Sequence, residues 1–302
     1  VFRVSRVCPG SPRCLFTGTG TTKQTKDMHR LLIRQRGPLV AAVAGGVAAA
    51  ISCNRGAAAE SESAATRRPR VLITGFHDWR ELDGNIWRCR DNPSCRLILG
   101  ECCASPPISR NGPLPQALRA SVDADFTFVT LPVLWGASAG LDLLSYDLVI
   151  HMGLGVYDRH DTILVENDAY NLRQGQDALA HSPPGHTIDM GAPQVLVQGS
   201  AMQGRYAALA ANASAALPGG FVLSLAPARV SNSYICNETH WRALKARERA
   251  EVEAPSLSPS SNGAVLGASY FVHLPYARDD EKDHRQLAAA VAEVIRRIVK
   301  LE

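Results

Sequence analysis

Three residue types that together can run acyl-transfer chemistry close three separate apolar runs: Glu166 after TILV, Cys236 after Tyr234 and Ile235, and His273 after SYFV. A cysteine thiolate attacks a carbonyl, an imidazole holds that thiolate and later protonates the leaving amine, and a carboxylate orients the imidazole and stabilises its charge. Cys236 lies in SNSYICNETH, residues 231–240, where an apolar segment gives way to a helical pattern. Asn237 reads as a helix N-cap and Glu238 as a first-turn acid. A thiol at that junction faces free backbone N–H groups and the positive helix end, which favour a thiolate and could receive an oxyanion. Each residue alone has a plainer reading. Free cysteine is among the most buried residue types, and Glu166 could end a strand with its carboxylate in water, although acids in apolar runs are uncommon without a partner.

The elements that must position these groups alternate along the chain. Residues 70–75, RVLITG, form a continuous apolar run ended by glycine, as in a buried strand of a parallel sheet. Residues 126–131, 147–152, 222–225 and 269–276 read as further strands, with Tyr234 and Ile235 as a short apolar segment before the Cys236 helix, which is predicted to run to about Ala250. Asn92-Pro93-Ser94 looks like a helix start. An Ala-rich helix is expected over 198–217, and a C-terminal helix from Asp283, where Asp283 and Gln286 suit a capping pair and Leu287, Val291, Val294, Ile295 and Ile298 share one face. Alternation of this kind predicts an α/β fold with a mostly parallel sheet. In such sheets the carboxyl ends of strands converge on one edge, where Glu166, Cys236 and His273 would meet. Phe76 and Trp79 follow the first strand at the same edge, as pocket walls or as core.

Composition allows one large α/β domain or two small ones, preceded by something different. The 302 residues are 46% hydrophobic and 20% charged, enough for a full core. The net charge of +4 is concentrated early, since Asp27 is the only acid in the first 36 residues. Residues 1–68 read as a leader and linker: a basic stretch from Met28, an apolar run over 38–52, then a polar linker. They fit a secretory signal, a short anchor, an organellar presequence or a disordered tail. The apolar run is short for a stable membrane span. The folded domain is expected over 69–302. Without a basic stripe interleaved with aromatics, nucleic-acid binding is disfavoured. Gly153-Leu154-Gly155 after the third strand hints at a nucleotide fold, but no third glycine opens a helix. The eight cysteines, with Cys89, Cys95, Cys102 and Cys103 near His77, lack the spacing of a structural zinc site and are expected to be reduced thiols.

Six short blocks in this order carry a resemblance: VLITGF (71–76), LPVLWG (131–136), DLVIHMG (147–153), Glu166 with Asn171, YICN (234–237) and FVHLPY (271–276). Together they resemble the pyroglutamyl peptidase I family, cysteine peptidases that remove an N-terminal pyroglutamate from peptides. The resemblance implies a three-layer α/β/α sandwich with a mostly parallel sheet, of the phosphorylase/hydrolase-like kind, and no cofactor or metal. It places the catalytic glutamate, cysteine and histidine on Glu166, Cys236 and His273, and pocket residues on Phe76, Trp79, Tyr234 and Ile235. The small, flat, neutral lactam would be gripped by aromatic faces and a few backbone hydrogen bonds.

The chain departs from that family in places. His77-Asp-Trp79-Arg replaces the usual proline, phenylalanine and glycines, the stretch from Glu166 to Gly191 diverges, and residues 251–263 form a Ser/Pro-rich insertion. A homologue that keeps the pocket as a small-ligand or peptide-binding module is the alternative. Of two glycosylation sequons, at Asn212 and Asn237, the second would put a glycan beside the nucleophile. With the preference of thiolates for reducing surroundings, this favours the cytoplasm.

Overall fold

The computed structural model describes residues 67–77, 92–100, 111–156, 159–197, 200–253, 267–276 and 281–302. The chain divides into two units, Val1–Glu62 and Ser63–Glu302, and every described residue belongs to the second. The leader up to residue 66, Trp79, Cys89, Cys102, Cys103 and residues 254–266 of the insertion lie outside the described residues.

The strands are β1 (Arg70–Phe76), β2 (Asp125–Leu131), β3 (Leu148–Val156), β4 (Thr162–Glu166), β5 (Asp168–Tyr170), β6 (Val195–Val197), β7 (Val222–Ala226) and β8 (Ala268–Pro275). The helices are α1 (Pro93–Leu99), α2 (Pro113–Ser121), α3 (Ser200–Ala211), α4 (Ile235–Glu253) and α5 (Glu281–Val299). Six strands form one sheet in the order β2-β1-β3-β8-β4-β7, and β5 and β6 form a small antiparallel pair. All neighbours in the large sheet run parallel except β4 and β8.

Alternate residues of the buried strands point to opposite faces, and each face is covered. Val71, Ile73, Ile150, Met152, Tyr270 and Val272 share a core with α1, α2 and α5. On the other face, Leu72 and Val149 pack on Ala243 of α4, and Phe271 packs with Ile235 at the start of α4. This is the expected three-layer α/β/α sandwich. The predicted stripe of α5 is its buried face, with Leu287, Val291, Val294, Ile295 and Ile298 at most 1% exposed. Burying such a side chain contributes about 1.5–3 kcal/mol each.

Five local expectations change. Helix α4 begins at Ile235, so Tyr234 and Ile235 form no strand and Cys236 sits inside the first turn. Asn237 does not cap that helix. Its side chain pairs with both backbone groups of Tyr170 and with Leu172 O, at 2.8–2.9 Å, and ties α4 to β5. Helix α5 starts at Glu281, which puts Asp283 and Gln286 within it, and α3 ends at Ala211, short of the predicted 217. Cys95 is disulfide-bonded, against the expectation of reduced thiols, whereas Cys236 is free. Among the described residues no helix is long and apolar enough to cross a membrane.

Candidate active site

The sheet brings Glu166, Cys236 and His273 together, though by a different route from convergent strand ends. Because β4 runs antiparallel to β8, Glu166 pairs in register with Phe271, and His273 pairs with Leu164. The last residue of β4 therefore lies beside the middle of β8, within reach of the histidine two positions further along. Residues adjacent in register share a face of the sheet, and here that face lies under α4.

His273 is 1% exposed and Glu166 5%. The Glu166 Oε1 atom lies 3.4 Å from His273 Nδ1, and the Asn232 side-chain amide lies 3.4 Å from the same nitrogen. The Phe271 ring stands edge-on to the imidazole with centroids 4.6 Å apart. Burial works against the charged form of His273, but the Glu166 carboxylate and hydrogen bonding to Cys236 and Glu166 outweigh it, so its pKa is pushed up to about 10. Cys236 is partly buried in the first turn of α4 and acts on the imidazole both as a hydrogen-bond partner and through its charge. By helix geometry, the first backbone N–H groups of α4 lack intrahelical acceptors; the Glu238 N–H is the first to find one, at Tyr234 O 3.1 Å away.

Three of the four expected pocket residues gather beside the thiol. Phe76, Ile235 and Tyr234 belong to one apolar cluster with Cys236, Leu131, Val133 and Phe271. Phe76 and Ile235 are buried, so they back the wall, while Tyr234 is half-buried. The fourth, Trp79, lies outside the described residues. A different tryptophan stands there. Trp135 meets Tyr234 edge-on at 5.5 Å and donates its indole N–H to His181 O at 3.2 Å. Its signal in the sequence is an aromatic four positions after the end of β2 and directly before Gly136. The Tyr234 hydroxyl donates to Gln176 O at 2.5 Å, so both rings are fastened to the loop over 171–192.

That divergent loop is built around buried polar residues. Asn171 accepts from the N–H groups of Ile188 and Asp189 and donates to Asp189 O. Arg173, 6% exposed, donates to Thr187 O at 2.8 Å and to Glu238 Oε1 at 2.9 Å. Glu238 also accepts from Arg242 and, through Oε2, from the Gly136 N–H at 2.9 Å. Although burial opposes its charge, these donors hold the Glu238 carboxyl below the usual range. One buried carboxylate thus joins the first turn of α4, the Trp135–Gly136 corner and the 171–192 loop. In the sequence alone Glu238 reads only as a first-turn acid.

Two more buried histidines, His151 and His240, lie on the same face. His151 Nδ1 is 2.7 Å from Thr74 Oγ1, and His240 follows Cys236 by one helical turn. Both are fully buried, and burial pushes His151 down to about 3 and His240 well below the usual range. Among the described residues no group of three or more His, Cys, Asp or Glu side chains could hold a metal ion.

No family model and no curated protein sequence matches the chain. Solved structures do. Pyroglutamyl peptidase I from Bacillus amyloliquefaciens is 17% identical, with 76% of this chain and 98% of that one covered and a TM-score of 0.48. Pyrrolidone carboxyl peptidase from Thermococcus litoralis is 18% identical over 77% and 92% of the two chains, with a TM-score of 0.45. A mutant pyrrolidone carboxyl peptidase from the hyperthermophile Pyrococcus furiosus is 17% identical over 77% and 97%, with a TM-score of 0.47. Each of these likenesses covers most of the solved chain.

Proposed function

We propose that this chain is a cysteine peptidase that hydrolyses the bond after an N-terminal pyroglutamyl residue, with Cys236 as nucleophile, His273 as acid and base, and Glu166 as the group that charges and orients the histidine. The observation that carries this reading is a fully buried imidazole whose charged form is favoured by a carboxylate 3.4 Å away and by the cysteine of a helix start. A buried histidine with only structural work is driven toward neutrality, as His151 is. The six sequence blocks supply the substrate class.

In this mechanism the sulfur attacks the pyroglutamyl carbonyl carbon, and the carbonyl π electrons move to oxygen. First-turn N–H groups of α4 stabilise that oxyanion. The His273 imidazolium gives its proton to the departing amine as the C–N bond breaks, leaving a thioester. The neutral imidazole then takes a proton from water, whose oxygen attacks the thioester and returns the sulfur as leaving group. Phe76, Tyr234, Ile235 and Trp79 are assigned to the neutral lactam ring, and no step calls for a cofactor. Cleavage of a pyroglutamyl fluorogenic peptide by the full chain, abolished in Cys236→Ala, is the expected outcome. Robust turnover by that variant would overturn the assignment of the nucleophile, and a wild-type protein that binds the peptide without cleaving it would favour the binding-module alternative.

A further inference from the structure

The two glycines at the end of β3 face the candidate active site. Neither Gly153 nor Gly155 has a positive φ, so their backbone conformation is open to any residue, and only space can require glycine there. That space belongs to the reacting pair. A Cβ at Gly155 would stand 2.5, 2.7 and 2.8 Å from Cγ, Cδ2 and Nδ1 of His273. A Cβ at Gly153 would stand 2.9 Å from the Cys236 sulfur and 3.2 Å from Cζ of Phe271. Carbon atoms in van der Waals contact sit about 3.5–4.0 Å apart, so each methyl would overlap its neighbour by much of an ångström.

The strand is shaped for this approach. Gly153 pairs in register with His273 and Leu154 with Leu274, but Val156 pairs with Pro275, so the register shifts between Leu154 and Val156. Gly155 is the extra residue of that irregularity, the kind of bulge that re-aims a strand beside an active site. The imidazole has little room to retreat from an added methyl: Glu166 and Asn232 meet it at Nδ1, and the Phe271 ring packs at 4.6 Å.

We infer that Gly153 and Gly155 are positioning residues that act by lacking a side chain: the bare backbone of β3 is the floor on which the Cys236 thiol and the His273 imidazole are held in register. This rests on the proposed peptidase reading, but it concerns the thiol–imidazole pair and so can be tested apart from the substrate.

The test compares Gly155→Ala and Gly153→Ala with Gly140→Ala, where an added Cβ meets nothing within 4 Å. Two quantities are read: kcat and KM on a pyroglutamyl fluorogenic peptide, and iodoacetamide alkylation of Cys236 at pH 6 and pH 10, followed by peptide mass spectrometry. A displacement near 1 Å at reacting groups costs about 100-fold, so Gly155→Ala should lower kcat by about that factor with little change in KM. It should slow alkylation at pH 6 and leave alkylation at pH 10 unchanged. Gly153→Ala should move both quantities in the same direction by about 10-fold, and Gly140→Ala should move neither. Wild-type kcat and wild-type pH 6 alkylation in both active-site variants would overturn the inference. If the wild-type chain cleaves no pyroglutamyl peptide, the alkylation comparison alone decides; if Gly155→Ala does not fold, Gly153→Ala decides on the same readouts.

Discussion

His273 and His151 are fully buried on neighbouring strands and the same face of the sheet, yet their imidazoles are pushed in opposite directions, up to about 10 and down to about 3. Burial opposes the charged form of both. What separates them is their neighbours: the Glu166 carboxylate at Nδ1 and the Cys236 thiol for His273, and a hydroxyl, Thr74, for His151. A glutamate at the end of a short reversed strand, together with the Cys236 thiol, favours the charged form of a histidine that burial alone would keep neutral. The other remains neutral packing around Phe271, whose ring it approaches to 6.2 Å.

The largest expected effect comes from making the two sites alike. Glu166→Gln keeps the shape and removes the charge. Steady-state kinetics should show kcat reduced by about 10²–10⁴-fold, the range general acid–base catalysis supplies, and the alkaline limb of the pH–rate profile should move down from near 10. Glu238→Gln is expected to strike stability first, because it leaves the buried Arg173 guanidinium without its carboxylate. Breaking a buried pair costs about 3–5 kcal/mol, to be read as a lower urea midpoint. Thr74→Val removes the hydroxyl facing His151 and should cost about 1–3 kcal/mol, with the alkaline limb of the kinetics unmoved.

The pair also predicts opposite slopes of stability with pH. The raised pKa of His273 contributes stability that is fully present below its unfolded value of about 6.5 and is lost as pH rises through about 10. The depressed pKa of His151 contributes stability present above about 6.5 and lost as pH falls toward about 3. Urea midpoints across pH should therefore fall on both sides. Glu166→Gln should flatten the alkaline side and His151→Phe the acid side.

Much of this arrangement was legible in the sequence because apolar runs and punctuation are local. The strands read at 70–75, 126–131 and 269–276, found at Arg70–Phe76, Asp125–Leu131 and Ala268–Pro275, and the buried stripe of α5 follow from patterns a few residues long. What could not be read depends on pairing across distance. Nothing in TILVE marks β4 as antiparallel to β8, yet that reversal brings Glu166 level with Phe271. Asn237 has the composition of a cap, but it serves Tyr170, whose backbone it finds only in the folded chain. Arg173 looks like a surface residue of a polar loop until Glu238, 65 positions away, becomes its partner. The G-x-G pair likewise carries no local sign that its missing side chains make room for a thiol and an imidazole.

The central claim is that Glu166 holds a proton on a buried His273 beside Cys236, and titration of the His273 ring by NMR tests it most directly. The ring should titrate near 10 in the wild-type protein and at a lower value in Glu166→Gln. A wild-type ring that titrates at or below the ordinary histidine value of about 6.5, unchanged by the glutamate substitution, would contradict it.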